Sequence, residues 1–140
     1  MHEWALAEAV VQTVLEVAGK EKLTSVDMIC ISIGELQGIE KEIFEFALEE
    51  LMKNKPIFKK TVVSTRYRKT MLRCRACGEE WTLDKSKMKD DEREAVHFIP
   101  EIVYSIIRCP RCRSPDFEIV GGRGLSIDRI EGSKNGGSQD

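Results

Sequence analysis

The sequence is short of the side chains on which several common functions depend. Among 140 residues there are two histidines, His2 and His97, no Ser-His-Asp arrangement, and no glycine-rich phosphate loop of the Walker type. Acid-base and nucleotide chemistry therefore have few candidate groups, and the chain is expected not to be an enzyme. Aromatic residues make up 6%, few for a surface built on base stacking. A formal net charge of −2 adds no general attraction for phosphate. No apolar run reaches membrane-spanning length, and the opening Met1-His2-Glu3-Trp4 has neither the basic nor the apolar region of a secretory leader. These absences lead to the expectation of a cytoplasmic protein with no membrane partner and room for one modest core.

What is present is concentrated in the cysteines. Cys74-Arg75-Ala76-Cys77 and Cys109-Pro110-Arg111-Cys112 are two C-x-x-C pairs, each able to bend two thiolates toward one ion. Gly78 after the first pair and Pro110 inside the second are turn-forming residues of the kind a zinc knuckle needs. Four thiolates make a closed tetrahedral site, so the spacing predicts structural zinc at Cys74, Cys77, Cys109 and Cys112 and argues against catalysis at that metal. Disulfides or a redox dithiol are the competing reading, and neither a secreted character nor a thioredoxin-like βαβ pattern supports them. The fifth cysteine, Cys30, lies in the apolar run Met28-Ile29-Cys30-Ile31 and is expected to be a buried core thiol.

Periodicity organises the rest. Trp4, Ala7, Val11, Val14 and Ala18 have helical spacing over residues 3–20, with Gly19 as the expected stop. Residues 26–33 are β-branched and apolar, as in a central strand closed by Gly34. A second amphipathic helix is expected over 40–53, and one strand over 61–72 leading into Cys74. Short strands at 79–83 and 116–120 flank the knuckles. The charge-dense stretch 84–94 reads as a solvated loop or short helix, and a further short helix before Cys109 begins near Pro100. A last strand starts after Gly121-Gly122-Arg123-Gly124 and pairs with those at 26–33 and 61–72. The expected fold is α+β: two helices packed on a small three-stranded sheet, with an inserted four-cysteine zinc-ribbon domain. The corresponding boundaries are 1–72 plus 121–132 for the α/β part, 73–120 for the zinc-binding part and 133–140 for a flexible tail.

A histidine at position 2 can form a chelate with the chain's own start. The Met1 amine, the His2 backbone nitrogen once deprotonated, and the nearer imidazole nitrogen close two fused rings around one ion. That nitrogen-rich, nearly planar set suits nickel(II) or copper(II) more than zinc(II). Glu3 adds a fourth donor or shapes the surroundings. An exposed terminal histidine with no ligand role is the plainer alternative.

Met1-His2-Glu3 opening an amphipathic helix, Ile33-Gly34-Glu35-Leu36 closing the first strand, the two C-x-x-C pairs, and Gly122-Arg123-Gly124-Leu125 opening the last strand together resemble the HypA family of nickel metallochaperones. The resemblance spans nearly the whole chain with its motifs in the family's order. It implies transient nickel(II) at Met1, His2 and Glu3, structural zinc(II) at the four cysteines, and delivery of nickel to nickel-iron hydrogenase, with urease a further target. The implied partners are a HypB-type GTPase and the hydrogenase large subunit, and both a monomer and a segment-exchanged homodimer are compatible with it. One position departs: a glycine often follows the last zinc cysteine, and here Arg113 does. His97 reads first as a surface or packing residue, and second as a nickel donor recruited when the zinc segment meets the terminus. The alternative from another class is a zinc-ribbon nucleic-acid-binding module, suggested by the acid-free basic run from Lys59 to Arg75 and by Arg108, Arg111 and Arg113. Strand alternation would split that run between two faces, so nucleic acid is the disfavoured partner.

Overall fold

A computed structural model describes residues 2–36 and 38–134. The chain forms two compact units: one from Met1–Ser32, Ile39–Arg66 and Ser126–Asp140, the other from Ile33–Gly38 and Tyr67–Leu125.

In the first unit, α1 (Glu3–Glu21) and α2 (Lys41–Met52) pack together and bury the stripes that the sequence spacing marks, Ala7, Val10, Val11, Val14 and Ala18 on α1 and Phe44, Ala47 and Leu48 on α2. Gly19 does not end α1. The helix runs one further turn to a Lys22 cap in the left-handed region (φ 58°), where the Leu23 N–H donates to Ala18 O at 2.9 Å and the Lys22 N–H to Gly19 O. This Schellman-type closure places the cap four residues beyond Ala18, the last apolar helical position, where Lys22 takes the strained backbone.

The sheet has the order β2-β1-β6, with β1 (Ser25–Gly34) in the centre, β2 (Val62–Arg68) and β6 (Leu125–Ser133). The expected three-strand pairing is therefore present. Buried Ser32 ties the strands together on one face: its hydroxyl donates to Asp128 of β6 and accepts from Arg66 Nε of β2 at 3.1 Å. Cys30 alternates to the face opposite Ile29 and Ile31 and is half-buried, less enclosed than its apolar neighbours suggest. At the far end β6 includes Ser133, the first residue of the tail expected over 133–140, and residues 135–140 lie outside the described residues.

The strand expected over 61–72 is broken. After β2 the chain turns at Lys69-Thr70 and resumes as β3 (Met71–Cys74), the centre of a second sheet of order β4-β3-β5. Here β4 is Glu80–Thr82 and β5 is Phe117–Gly121, both antiparallel to β3. Glycines explain the break. A Cβ on Gly122 (φ 79°) would stand 2.3 Å from Lys69 O and 2.4 Å from Thr70 Cα, and one on Gly34 would stand 2.4 Å from Gly122 O. Three backbone segments thus stack with no room for a side chain, fixed by Leu36 N–H to Gly122 O at 3.1 Å and Gly34 N–H to Gly124 O at 2.6 Å.

The second unit's core gathers Leu36, Leu72, Leu83, Met88, Val96, Val103 and Phe117. Phe117 is stacked on Tyr104 at 5.0 Å and meets Trp81 edge-on at 5.6 Å. In the charge-dense stretch the short-helix alternative holds from Asp90 onward: α3 (Asp90–Phe98) carries acids in its first turn, and the Glu92 carboxylate accepts the Lys89 N–H at 2.9 Å. A short turn at Pro100–Ile102 leads into α4 (Val103–Ile106). Lys85 hooks the Ile33–Gly38 segment to this core by donating to the carbonyls of Glu35 and Leu36, and burial pushes its pKa down.

Candidate metal centres

The sheet of the second unit brings the four cysteines together. Cys74 ends β3, the first knuckle turns the chain back into β4, and the second knuckle turns it into β5 on the other side of β3. The two turns match bond for bond. Cys74 N–H donates to Glu79 O at 2.8 Å and Cys109 N–H to Ser114 O at 3.0 Å; Gly78 N–H donates to Cys74 O at 3.0 Å and Arg113 N–H to Cys109 O at 2.9 Å. Backbone N–H groups also reach the sulfurs, Ala76 to Cys74 at 3.3 Å and Arg111 to Cys109 at 3.4 Å. Gly78 and Arg113 occupy the same left-handed position, with φ of 83° and 67°. The second knuckle therefore keeps the shape of the first despite the arginine, at a conformational cost of about 1 kcal/mol relative to glycine.

All four sulfurs lie within 4.8 Å of one another, with Cys74–Cys112 at 3.5 Å and Cys77–Cys109 at 3.7 Å. A disulfide needs about 2.05 Å. Zinc–sulfur bonds of about 2.3 Å in a tetrahedron put sulfurs about 3.8 Å apart, so the thiol donor set fits zinc. The titration of the cluster points the same way. Burial disfavours the Cys109 thiolate, but the Cys112 and Arg111 N–H groups outweigh it and bring its pKa to about 7. At Cys112 the Ser114 N–H favours the thiolate, yet the crowding sulfurs, Cys74 foremost, push the pKa up to about 12. Four thiolates cannot ionise side by side without a compensating cation, and a dication removes that conflict.

Of the residues predicted to bind nickel, Met1 lies outside the described residues. His2 stands exposed at the start of α1, its carbonyl taken by the Leu6 N–H at 2.9 Å and its side chain making no capping bond. Its backbone nitrogen precedes the first helical turn, whose N–H groups have no acceptor within the helix. Glu3 is 3% exposed, and its carboxylate accepts the Glu40 backbone N–H at 3.0 Å. Burial raises its pKa, but its hydrogen bonds, that from Glu40 among them, prevail and hold it at about 2. Glu40 is a participant that no pattern marked, because the contact is made through its backbone. His97 belongs to α3 of the second unit, half-buried, with its ring beside Gly38 and edge-on to Phe98 at 4.9 Å. It is not one of the clustered ligands among the described residues.

A closed four-thiolate centre in one unit, and in the other a helix start carrying an exposed histidine over a buried carboxylate, define a metal-binding protein whose thiolate centre serves structure. Residues 1–132 match the family described as hydrogenase/urease nickel incorporation, metallochaperone, HypA. The chain belongs to that family of nickel metallochaperones. It is 46% identical to the hydrogenase maturation factor HypA of Pyrococcus horikoshii over 97% of this chain and 99% of the relative. Identity is 28% to the Methanopyrus kandleri protein of the same name, over 93% and 92% of the two chains. The solution structure of the nickel metallochaperone HypA from Helicobacter pylori has the same fold, with a TM-score of 0.63 at 19% identity over 96% of this chain and 99% of that one.

Proposed function

We propose that this chain carries nickel(II) at its N-terminus and hands it to a nickel-iron hydrogenase during maturation, with zinc(II) held by Cys74, Cys77, Cys109 and Cys112 as a structural element. The supporting observation is the pairing of an exposed His2, whose backbone nitrogen precedes the first helical turn, with a Glu3 carboxylate already fixed by Glu40. Met1 amine, His2 backbone nitrogen and His2 imidazole are the donors, and Glu3 positions them by anchoring the start of α1. Protons, ligand exchange and partner docking then decide when the cargo leaves, so no catalytic group is required of this chain.

A HypB-type GTPase and the hydrogenase large subunit are the expected partners, with urease maturation a second use; relatives are named as hydrogenase maturation factors. The setting is the cytoplasm, where thiols stay reduced for zinc. No helix among the described residues is long and apolar enough to cross a membrane. His97 acts as an additional nickel donor only when a partner is bound. Nickel titration of His2→Ala and His97→Ala proteins tests this reading. His2→Ala should lose tight nickel binding while keeping its zinc, and His97→Ala should bind normally alone but transfer poorly. Intact binding by His2→Ala would refute the terminal site.

A further inference from the structure

Of the ten arginines, eight are engaged with a carboxylate or another partner, such as Arg75 with Asp116 at 2.9 Å and Arg73 with Glu118 at 3.0 Å. Among the described residues, Arg108 and Arg113 have no such partner, and both line one groove of about 380 Å³ beside the second zinc knuckle. Its apolar lining comes from Trp81, Ile106 and Ile107, partly buried against the core. Lys87 adds a third cation, which sits close enough to Asp84 to lower that carboxyl's pKa. Two acids also line the groove but are committed locally: Asp84 accepts the Ser86 N–H at 3.0 Å and Glu92 the Lys89 N–H at 2.9 Å. The three cations outnumber the two acids, so the groove keeps a formal charge of +1, with the two guanidinium groups free of carboxylate partners among the described residues.

Arg113 carries a second indication. It occupies a left-handed position that the matching knuckle fills with Gly78. A non-glycine residue there is strained, and among the described residues its guanidinium forms no ion pair or hydrogen bond that would compensate. The use of that side chain must lie outside the unit.

We propose that this groove is a docking site for an acidic, apolar peptide segment of a partner protein. Arg108 and Arg113 receive its carboxylates, and Trp81, Ile106 and Ile107 receive an apolar side chain between them. A nucleic acid fits less well, because a single indole gives little stacking surface and the apolar lining from Ile106 and Ile107 offers a phosphate chain nothing. The site does not depend on where nickel binds.

The test uses the zinc-loaded full chain and fluorescence anisotropy of a labelled peptide of alternating leucine and glutamate. A matched leucine-glutamine peptide and a single-stranded DNA are the comparison probes. Arg113→Gly keeps the knuckle geometry and should weaken the acidic peptide roughly two- to fivefold, as expected for one exposed ion pair. Arg108→Glu combined with Arg113→Glu should weaken it at least about tenfold. Zinc per chain should be unchanged in the Arg113→Gly protein, which decides the matter if the double variant loses metal. Failure of the acidic peptide to bind, equal binding by the Arg113→Gly protein, or preference for the glutamine peptide or the DNA would each overturn the proposal.

Discussion

Three glycine-to-alanine substitutions separate steric from conformational effects in this fold, and the structure assigns each a different outcome. At Gly122 a methyl group would enter backbone on one side at 2.3–2.5 Å, and φ is 79°. Left-handed strain for an L-residue costs about 1 kcal/mol, and displacing packed backbone adds about 1–3 kcal/mol. The expected loss is about 3 kcal/mol, a large share of a typical stability of about 5–15 kcal/mol. At Gly78 the same methyl would meet nothing within 4 Å, but φ is 83°, leaving only the strain of about 1 kcal/mol. At Gly19, inside the last turns of α1, nothing lies within 4 Å and the backbone is helical, so alanine should stabilise by about 0.5–1 kcal/mol. Urea unfolding of the zinc-loaded proteins, followed by far-ultraviolet circular dichroism, gives the three values. A Gly122→Ala protein within about 1 kcal/mol of the natural sequence would refute the stacking argument, since that much is covered by strain alone. So would a Gly78→Ala protein less stable than Gly122→Ala.

Replacing enclosed Cys109 by serine should remove zinc and expose the Leu72–Phe117 core, read as lost zinc by elemental analysis and increased dye binding. Glu3→Gln should cost up to about 3 kcal/mol at pH 7, because the folded carboxyl titrates at about 2 against an ordinary 4.5. A depressed folded pKa stabilises above the unfolded value, so the gap between natural and variant proteins should narrow as pH falls from about 5 toward 2; a constant gap in urea midpoint would contradict the assignment. Nickel affinity should weaken progressively as pH falls, because protons compete for the terminal amine, the backbone nitrogen and the imidazole, and an affinity that does not change with pH would show that these nitrogen donors do not hold the metal.

The four-cysteine centre was legible because each knuckle brings its own donors within a few residues, and the second unit only has to juxtapose the two. The helices and the three-strand pairing followed from stripes such as Ala7, Val11 and Val14 that must be buried together. Other features depend on contacts distant in sequence. Residues 61–72 read as one strand on their Thr, Val and Tyr content with only partial alternation, whereas the turn at Lys69-Thr70 is imposed by Gly122, more than fifty residues later. Lys22 closes α1 where Gly19 seemed the natural stop, since hydrogen bonding to Ala18 and Gly19 outweighs local preference. Glu3 reads by position as a fourth donor or a residue that shapes the metal's surroundings, but its link to Glu40 runs through a backbone N–H that carries no side-chain signature. Arg113 was visible as a departure from glycine, but only its backbone angle and unpaired guanidinium give the departure meaning.

The most direct measurement is nickel and zinc content after nickel titration of two proteins, one with Met1 as the first residue and one with a single residue added before it. The extension keeps the side chains of His2 and Glu3 but moves the amine away from both. Zinc near one per chain in both proteins, with tight nickel binding only at the natural terminus, is the predicted result. Equal nickel binding by the extended protein would contradict the terminal chelate.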